Sequence, residues 1–514
     1  MKRRSFLRHA FHAAAVPGVF SSLGFAMPNR RSMEYYLRLA SESDRVLVMI
    51  YLDGGNDGLN TVVPLNYMSE LNAVRPRVVL NENELLSLNQ SDVAFHPAMG
   101  GLRDLFNDSK LQIIQNVGYP DPNFSHFRSQ DIWVSGSDSD QIVGSGWMGR
   151  HLETAFSGYP ESFPTDDMKD PLAVELGYGS SLLFQGNSAL TSFTLQNASS
   201  FYDLLDNVEQ DAPETPAGDK LKYVRLIARQ SQLYGQRIVE VASKVNQHAN
   251  YPETNLAQQL KIVSKLIAGG SRTPVYLVRI GGFDTHDSQV ESNHSLGEHA
   301  TLLRELNDAI VAFTEDLELH NVGDKVLGMT FSEFGRTILS NASNGTDHGT
   351  AAPMFFFGNK VKGGVTGSNP IINSQMTYFD NLPHEFDFRQ MYNSVLDQWF
   401  GVEEASRNGV LLGDFETVEI IGEPAITLSV RSENDLKVYP NPMNGQATVS
   451  YEGDGSPVKI DLMDVQGKIV TTIFRGLSER GRNDYSWNTS GIPKGRYFVL
   501  LQNQTGKQIF SVVK

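Results

Sequence analysis

The sequence predicts an α/β protein, with a mostly parallel sheet flanked by helices and a small β-sandwich at the carboxyl end. Three observations lead there. Apolar runs at 45–52, 111–117, 273–280, 326–331 and 354–357 each stop at Gly or polar residues, and unbroken runs of this length suit strands covered on both faces. Between them lie stretches with helical spacing at 220–248, 255–268, 295–320 and 386–400. From 436 onward the character changes to short alternating segments, with turns at 464–467, 481–483 and 493–495.

The 514 residues are 40% hydrophobic, enough for a large core. The net charge of -16 argues against wholesale nucleic-acid binding. There is no cysteine, which removes disulfides, thiolate metal sites and a cysteine nucleophile. Any metal must therefore be held by Asp, Glu and His.

In chain order, residues 1–26 read as a signal peptide. A basic head with Arg3-Arg4 precedes an apolar run broken by Pro17 and Gly18, ending in Gly24-Phe25-Ala26. The run is too short to span a bilayer. Arg3-Arg4-Ser5-Phe6-Leu7 resembles the twin-arginine export signal, with an ordinary secretory signal as the alternative. Both place the mature protein outside the cytoplasm.

The run at 45–52 ends in Asp53 and a glycine-rich turn, DGGNDGLN. A carboxylate at a strand end beside such a turn suits a metal; equally, it suits a cap. The run at 111–117 leads through a Pro- and Asn-containing loop to Ser125-His126, at a predicted helix start. Ser125 is there either a helix cap or a nucleophile exposed where the helix N-terminus favours an anion, with Arg128 beside it to contact phosphate or sulfate. The run at 273–280 opens onto Asp284-Thr285-His286, and the run at 326–331 onto Ser332-Glu333 and then Asp347-His348. Since α/β chemistry sits beyond the carboxyl ends of the strands, these positions are expected to converge. The stretches at 220–248 and 255–268 read as covering helices or an inserted cap. His299 and His320 read as solvated helix histidines, and His384 as a ligand or a cap ahead of the last helix. Residues 402–433 read as a linker.

Two resemblances follow. The tail, with VYPNP, LMDVQGK, GIPKGRY and a terminal VVK, resembles the type A sorting domain of the type IX secretion system over 434–514. That implies the type IX machinery as partner, a periplasmic stage, and then the cell surface or extracellular space. The body, 45–401, resembles the exported family called domain of unknown function 1501 (DUF1501), on LDGGNDGLNTVVP, FHPAMGGLRDLF, NVGYPDPNFSHFRSQDIW, GGFDTHDSQ, TFSEFGRT, GTDHGTAAPMFFFG and DFRQMYNSVLDQWFG.

That family is similar in turn to the alkaline phosphatase and sulfatase superfamily, which holds two divalent metals on a parallel sheet. The resemblance implies an exported, metal-dependent phosphoester or sulfuric ester hydrolase. Ser125 would be the nucleophile and Arg128 an anion contact. Asp53, Asp284, His286, Glu333, Asp347 and His348 would be the candidate ligands of a divalent ion (Zn, Mn, Mg or Ca). On the preferred correspondence His348 is the last metal His and Glu333 stands in for an Asp; alternatively Asp347-His348 is itself the expected Asp-His pair. Phe334 stands where the superfamily has a ligating His, so the second metal site is thin. The alternative is a non-catalytic surface binding or assembly protein on the same fold. A phosphate or sulfate ester or a polysaccharide would be the substrate, and no transmembrane segment is expected.

Overall fold

The structure is a computed structural model describing residues 44–177, 179–195, 215–246, 248–422, 436–455, 457–463, 469–503 and 506–514. The signal peptide, the turn at 464–467 and residues 423–433 of the expected linker lie outside these residues. The chain divides into two units, at Ile421/Gly422.

The first unit is built on a nine-stranded sheet. Its strands are β1 (Val46–Asp53), β2 (Leu111–Gly118), β3 (Ala173–Leu176), β4 (Ser192–Leu195), β5 (Val275–Gly281), β6 (Val326–Phe331), β7 (Ala352–Phe357), β8 (Gly364–Thr366) and β9 (Phe386–Asp387). They run in the order β8-β2-β7-β6-β1-β5-β3-β4, with β9 also beside β2.

The unbroken apolar runs follow from burial on both faces. Val46, Val48, Ile50 and Leu52 of β1 enter one core with the helices Asn255–Ala268 and Glu298–Leu319. Leu47, Met49 and Tyr51 enter the other with Trp147, Phe388 and Trp399. Each fully buried side chain of this size contributes about 1.5–3 kcal/mol.

The expected parallel arrangement has one exception. β7 runs antiparallel to both β2 and β6, while every other pairing in the sheet is parallel. A parallel return needs a crossover, usually helical. Residues 332–351 contain no helix, so the chain turns straight back. The β7–β2 register shifts between Ala352 and Met354, at Pro353, which has no N–H to donate. The reversal places the amino end of β7 at the same edge as the carboxyl ends of β1, β2, β5 and β6.

Other boundaries differ from the sequence reading. β3 and β4 lie in a stretch, ahead of the expected covering helices, to which the sequence reading assigns no element. The helix expected at 220–248 is Pro216–Ala242. The first unit runs past 401: the helix Glu404–Leu411 buries Val410 and Leu411, and Val361 bridges Ile421. The second unit has an antiparallel three-stranded sheet (Leu436–Asn444, Gln446–Asp454, Arg480–Asn488) and a four-stranded one (Ile469–Leu477, Pro457–Met463, Arg496–Asn503, Gly506–Val513). Positions 481–483, expected as a turn, lie inside a strand paired with Tyr451–Gly453. Among the described residues no helix is long and apolar enough to cross a membrane.

Candidate metal centre

Four loops meet at the shared sheet edge. The first follows β1, where Gly54 has φ +123° and its Cα lies so close to the next loop that a Cβ would sit 2.3 Å from the Asp284 nitrogen. Only glycine permits that approach. The others follow β2, β5 and β6, and the last of these closes back through Asp347-His348, where Arg336 and His348 form a bridge.

Asp284 is the hub. Its Oδ1 lies 3.1 Å from His348 Nε2 and 3.2 Å from His286 Nε2, and its Oδ2 lies 3.4 Å from His126 Nε2. The Nε2 atoms of His286 and His348 are 2.8 Å apart. The opposite ring nitrogens all face acceptors. His348 Nδ1 is 2.7 Å from the Phe124 carbonyl, His286 Nδ1 is 2.8 Å from Asp347 Oδ1, and His126 Nδ1 is 2.8 Å from Glu333 Oε1. This network assigns the proton to Nδ1 on each ring and turns three Nε2 lone pairs inward. Two imidazole lone pairs 2.8 Å apart repel unless a cation, proton or metal, lies between them.

Electrostatics keep the donors in ligating form. Burial tends to raise the Asp284 carboxyl, but the hydrogen bond and charge of Arg336 outweigh it and hold it down at about 2. Burial also favours the ionised state of Asp347 less, yet His286 and Asn341 pull it below the usual carboxylate range. The His348 imidazole is pushed down by burial, helped by the charge of Arg336, which favours its neutral form.

Residues 44–408 match the family described as "Protein of unknown function (DUF1501)". The chain belongs to this family.

Residues 437–514 of this DUF1501 member match the "Secretion system C-terminal sorting domain", which supports an exported protein that engages secretion machinery. No curated protein matches the chain. Among solved structures it is similar to PorZ, a surface component of the type-IX secretion system of Porphyromonas gingivalis, at 18% identity over 15% of this chain and 11% of that one (TM-score 0.12). It is also similar to the PsFucS1 sulfatase from Pseudoalteromonas sp. at 10% identity, over 90% of this chain and 89% of that one (TM-score 0.32). A third is a protein in the alkaline phosphatase superfamily from Vibrio parahaemolyticus, at 10% identity, over 84% of this chain and 86% of that one (TM-score 0.30).

The donor set of this DUF1501 member suits a divalent cation. Ligand atoms of His126, Asp284 and His348 lie within 4.8 Å of one another, and His286 Nε2 approaches two of the three, His348 and Asp284. Their closest spacings, 2.8–3.4 Å, bracket the edge of about 3.3 Å for a tetrahedron with metal bonds of about 2.0–2.1 Å. Histidines oriented through Nδ1 by carboxylate or carbonyl are the usual support for such a site.

Of the expected ligands, Asp284, His286 and His348 come together. Asp347 and Glu333 act one step back, each orienting a histidine. Glu333 is fully buried, with Oε1 also accepting from the Gly54 amide (2.9 Å) and Oε2 from Ser332 (3.2 Å). It is thus engaged by protein donors on both oxygens. Asp53 ends β1 but contributes no atom to the three-residue group.

Ser125 occupies the N-cap position of the helix His126–Ser135, yet its side chain makes no cap hydrogen bond and is exposed. It sits between Phe124 and His126, both part of the cluster. Arg128 does not join them: its Nη2 donates to the carbonyls of Ser139 (3.0 Å), Asp138 (3.3 Å) and Gln141, pinning the next loop. His384 is exposed, and the following helix is capped by Asp387 through a capping box. His299 is buried, not solvated, and lies 3.0 Å from Asn56 Oδ1.

Two residues of the centre escape sequence reasoning. His126 shows only as a neighbour of Ser125. Arg336 is fully buried and donates to the carbonyls of Gly54, Gly55 (2.7 Å), Phe283 (3.0 Å) and Thr346 (3.0 Å) and to Asp284 Oδ1 (2.7 Å). It fastens three of the four loops together, and nothing in TFSEFGRT announces that role.

Proposed function

We propose that this protein is an exported, metal-dependent hydrolase of phosphate or sulfate esters, with one divalent ion held by His126, Asp284, His286 and His348. The observation that carries the reading is the inward convergence of three Nδ1-anchored imidazoles on one carboxylate. A divalent ion bound there would supply Lewis-acid chemistry, polarising an ester oxygen and favouring a deprotonated nucleophile. Ser125 is the candidate nucleophile: its hydroxyl is exposed, uncapped and flanked by two residues of the cluster. Arg336 fixes Asp284 through Oδ1 and leaves Oδ2 directed at His126. Glu333 and Asp347 hold His126 and His286 in the ligating tautomer. The expected route is through the periplasm to the cell surface or beyond.

Elemental analysis of the full chain purified without chelators tests this, with His348→Ala as control. Stoichiometric Zn, Mn, Mg or Ca that the variant loses supports the centre. A screen of phosphate and sulfate esters follows, in which Ser125→Ala is expected to abolish turnover. A second reading, a non-catalytic surface protein bearing the same ion, is favoured by one observation: Asp53 and Glu333 build no second metal group among the described residues. Metal uptake with no turnover on any ester selects it.

A further inference from the structure

Asp284 and His286 lie on the loop after β5, and Asp347 and His348 on the loop after β6. The Nε2 atoms of His286 and His348 are 2.8 Å apart and repel without a cation between them. The two loops must therefore be tied by bonds that do not pass through the ion. One side chain outside the cluster bonds to both.

Gln289 is fully buried. Its Oε1 accepts from the Thr346 hydroxyl at 2.7 Å and from the Thr285 hydroxyl at 3.3 Å. Thr285 stands between Asp284 and His286, and Thr346 immediately precedes Asp347 and His348. Both threonines are buried, so each hydroxyl needs a protein partner. The backbone joins the same two residues, with the Thr346 amide 3.2 Å from the Thr285 carbonyl.

The other end of the amide sets its polarity. Gln289 Nε2 donates to Asp57 Oδ2 at 2.6 Å, an oxygen that Arg75 also engages. An ionised carboxylate only accepts, so the amide presents its NH₂ group to Asp57 and its oxygen to the threonines. The Gln289 carbonyl accepts from the His299 amide (3.2 Å), in the first turn of the helix Glu298–Leu319, which fixes its backbone. The side chain thus reaches from the interior to both ligand-bearing loops.

We infer that Gln289 is a positioning residue of the metal centre. One oxygen shared by two hydroxyls ties the two loops and sets the separation of His286 and His348 before an ion arrives. Ligands already held in place lose less freedom on binding, so the tie raises affinity for the ion. Asp57→Asn keeps an oxygen for both donors, so the tie depends on the Gln289 amide and not on the charge beneath it. This inference rests on the metal centre proposed above.

The test is the zinc affinity of the full chain, read by competition with a chromogenic chelator, beside the midpoint of urea unfolding. Gln289→Met keeps the length of the side chain and loses both polar ends. It is expected to hold one zinc about tenfold more weakly than wild type. Thr346→Val, which removes one hydroxyl, is expected to weaken zinc by about three- to tenfold, and Thr346→Ser, which keeps it, by less than about twofold. Thr346→Val added to Gln289→Met should cost little more, because the shared acceptor has already gone. A residue that only packs would move the unfolding midpoint and leave zinc affinity alone. Three results overturn the inference while leaving the metal centre intact: wild-type zinc affinity in folded Gln289→Met, equal affinities for Thr346→Val and Thr346→Ser, or additive effects of Gln289→Met and Thr346→Val. If Gln289→Met does not fold, the two Thr346 variants decide by themselves. Failure of the metal centre shows separately, as a wild type that takes up no zinc, and it removes this inference as well.

Discussion

Two clusters of polar side chains form beyond the carboxyl ends of the strands, and they are built to opposite ends. The solvent-facing one gathers the Nε2 atoms of His126, His286 and His348 around the Asp284 carboxylate. The interior one gathers Asp57, Arg75, Gln289 and His299. There Asp57 pairs with Arg75 at 0% exposure of both side chains, and Gln289 Nε2 donates to Asp57 Oδ2 at 2.6 Å. Burial raises the Asp57 carboxyl, but Arg75 and His299 together hold it below its ordinary value. In the interior cluster charges cancel within the protein. In the outer one donors face one another and Arg336 offsets only one oxygen of the single carboxylate. The difference separates a polar group that holds loops in place from one arranged to receive a cation, although both draw on Asp and His of ordinary appearance in the sequence.

Breaking the interior pair should have the largest effect. Asp57→Asn leaves Arg75 buried without its counter-charge and is expected to cost about 3–5 kcal/mol, measured by denaturant unfolding. The metal content of the folded fraction should not change, and a loss of metal would mean the two clusters are one functional unit.

Acid should also weaken the interior. His299 is pushed down to about 4 and His96 to about 3, mainly by burial. Their folded values lie below the unfolded value near 6.5, so the unfolded chain binds more protons. The stability they contribute is present above about pH 6.5 and falls as the pH drops from there toward the folded values, by about 2 kcal/mol each at pH 5. Thermal unfolding from pH 7 to 5 checks this. His299→Gln should flatten the slope, and an unchanged slope removes His299 from the account.

The outer cluster is sharpened by changing a residue that orients a ligand without being one. Asp347→Asn is expected to weaken metal affinity about 10–100-fold while the protein stays folded, read by competition with a chromogenic chelator. Affinity lost entirely would instead make Asp347 a direct ligand.

The smallest effect on stability should come from Ser125→Ala. An N-cap serine that caps its helix costs about 0.5–2 kcal/mol when replaced, but this hydroxyl makes no cap bond. Less than about 0.5 kcal/mol is therefore expected in chemical denaturation. A larger loss would return Ser125 to a capping role.

Much of the fold was legible because local patterning reports burial directly. The run at 326–331 matches β6, and that at 45–52 matches β1 but for a one-residue shift, because strands covered on both faces leave no polar alternation to misplace. β3 and β4 were missed: each has only four residues, and the burial of Ser192–Leu195 alternates. Asp284, His286 and His348 could be read as candidates because each follows a strand end.

The sequence by itself determined the long buried strands, the loops at their ends, the absence of thiolate chemistry and the sorting tail, since these depend on residue type and short-range order. Only the tertiary structure decided which way β7 runs, and with it which residues share an edge. It decided that His126 joins the cluster while Arg128 turns to a neighbouring loop, although they lie two positions apart on one helix. It also made Glu333 and Asp347 supports of histidines, and gave Arg336 the task of fastening three loops. Such roles depend on donors and acceptors brought together from segments up to 282 residues apart, between Gly54 and Arg336, and no local spacing encodes that distance.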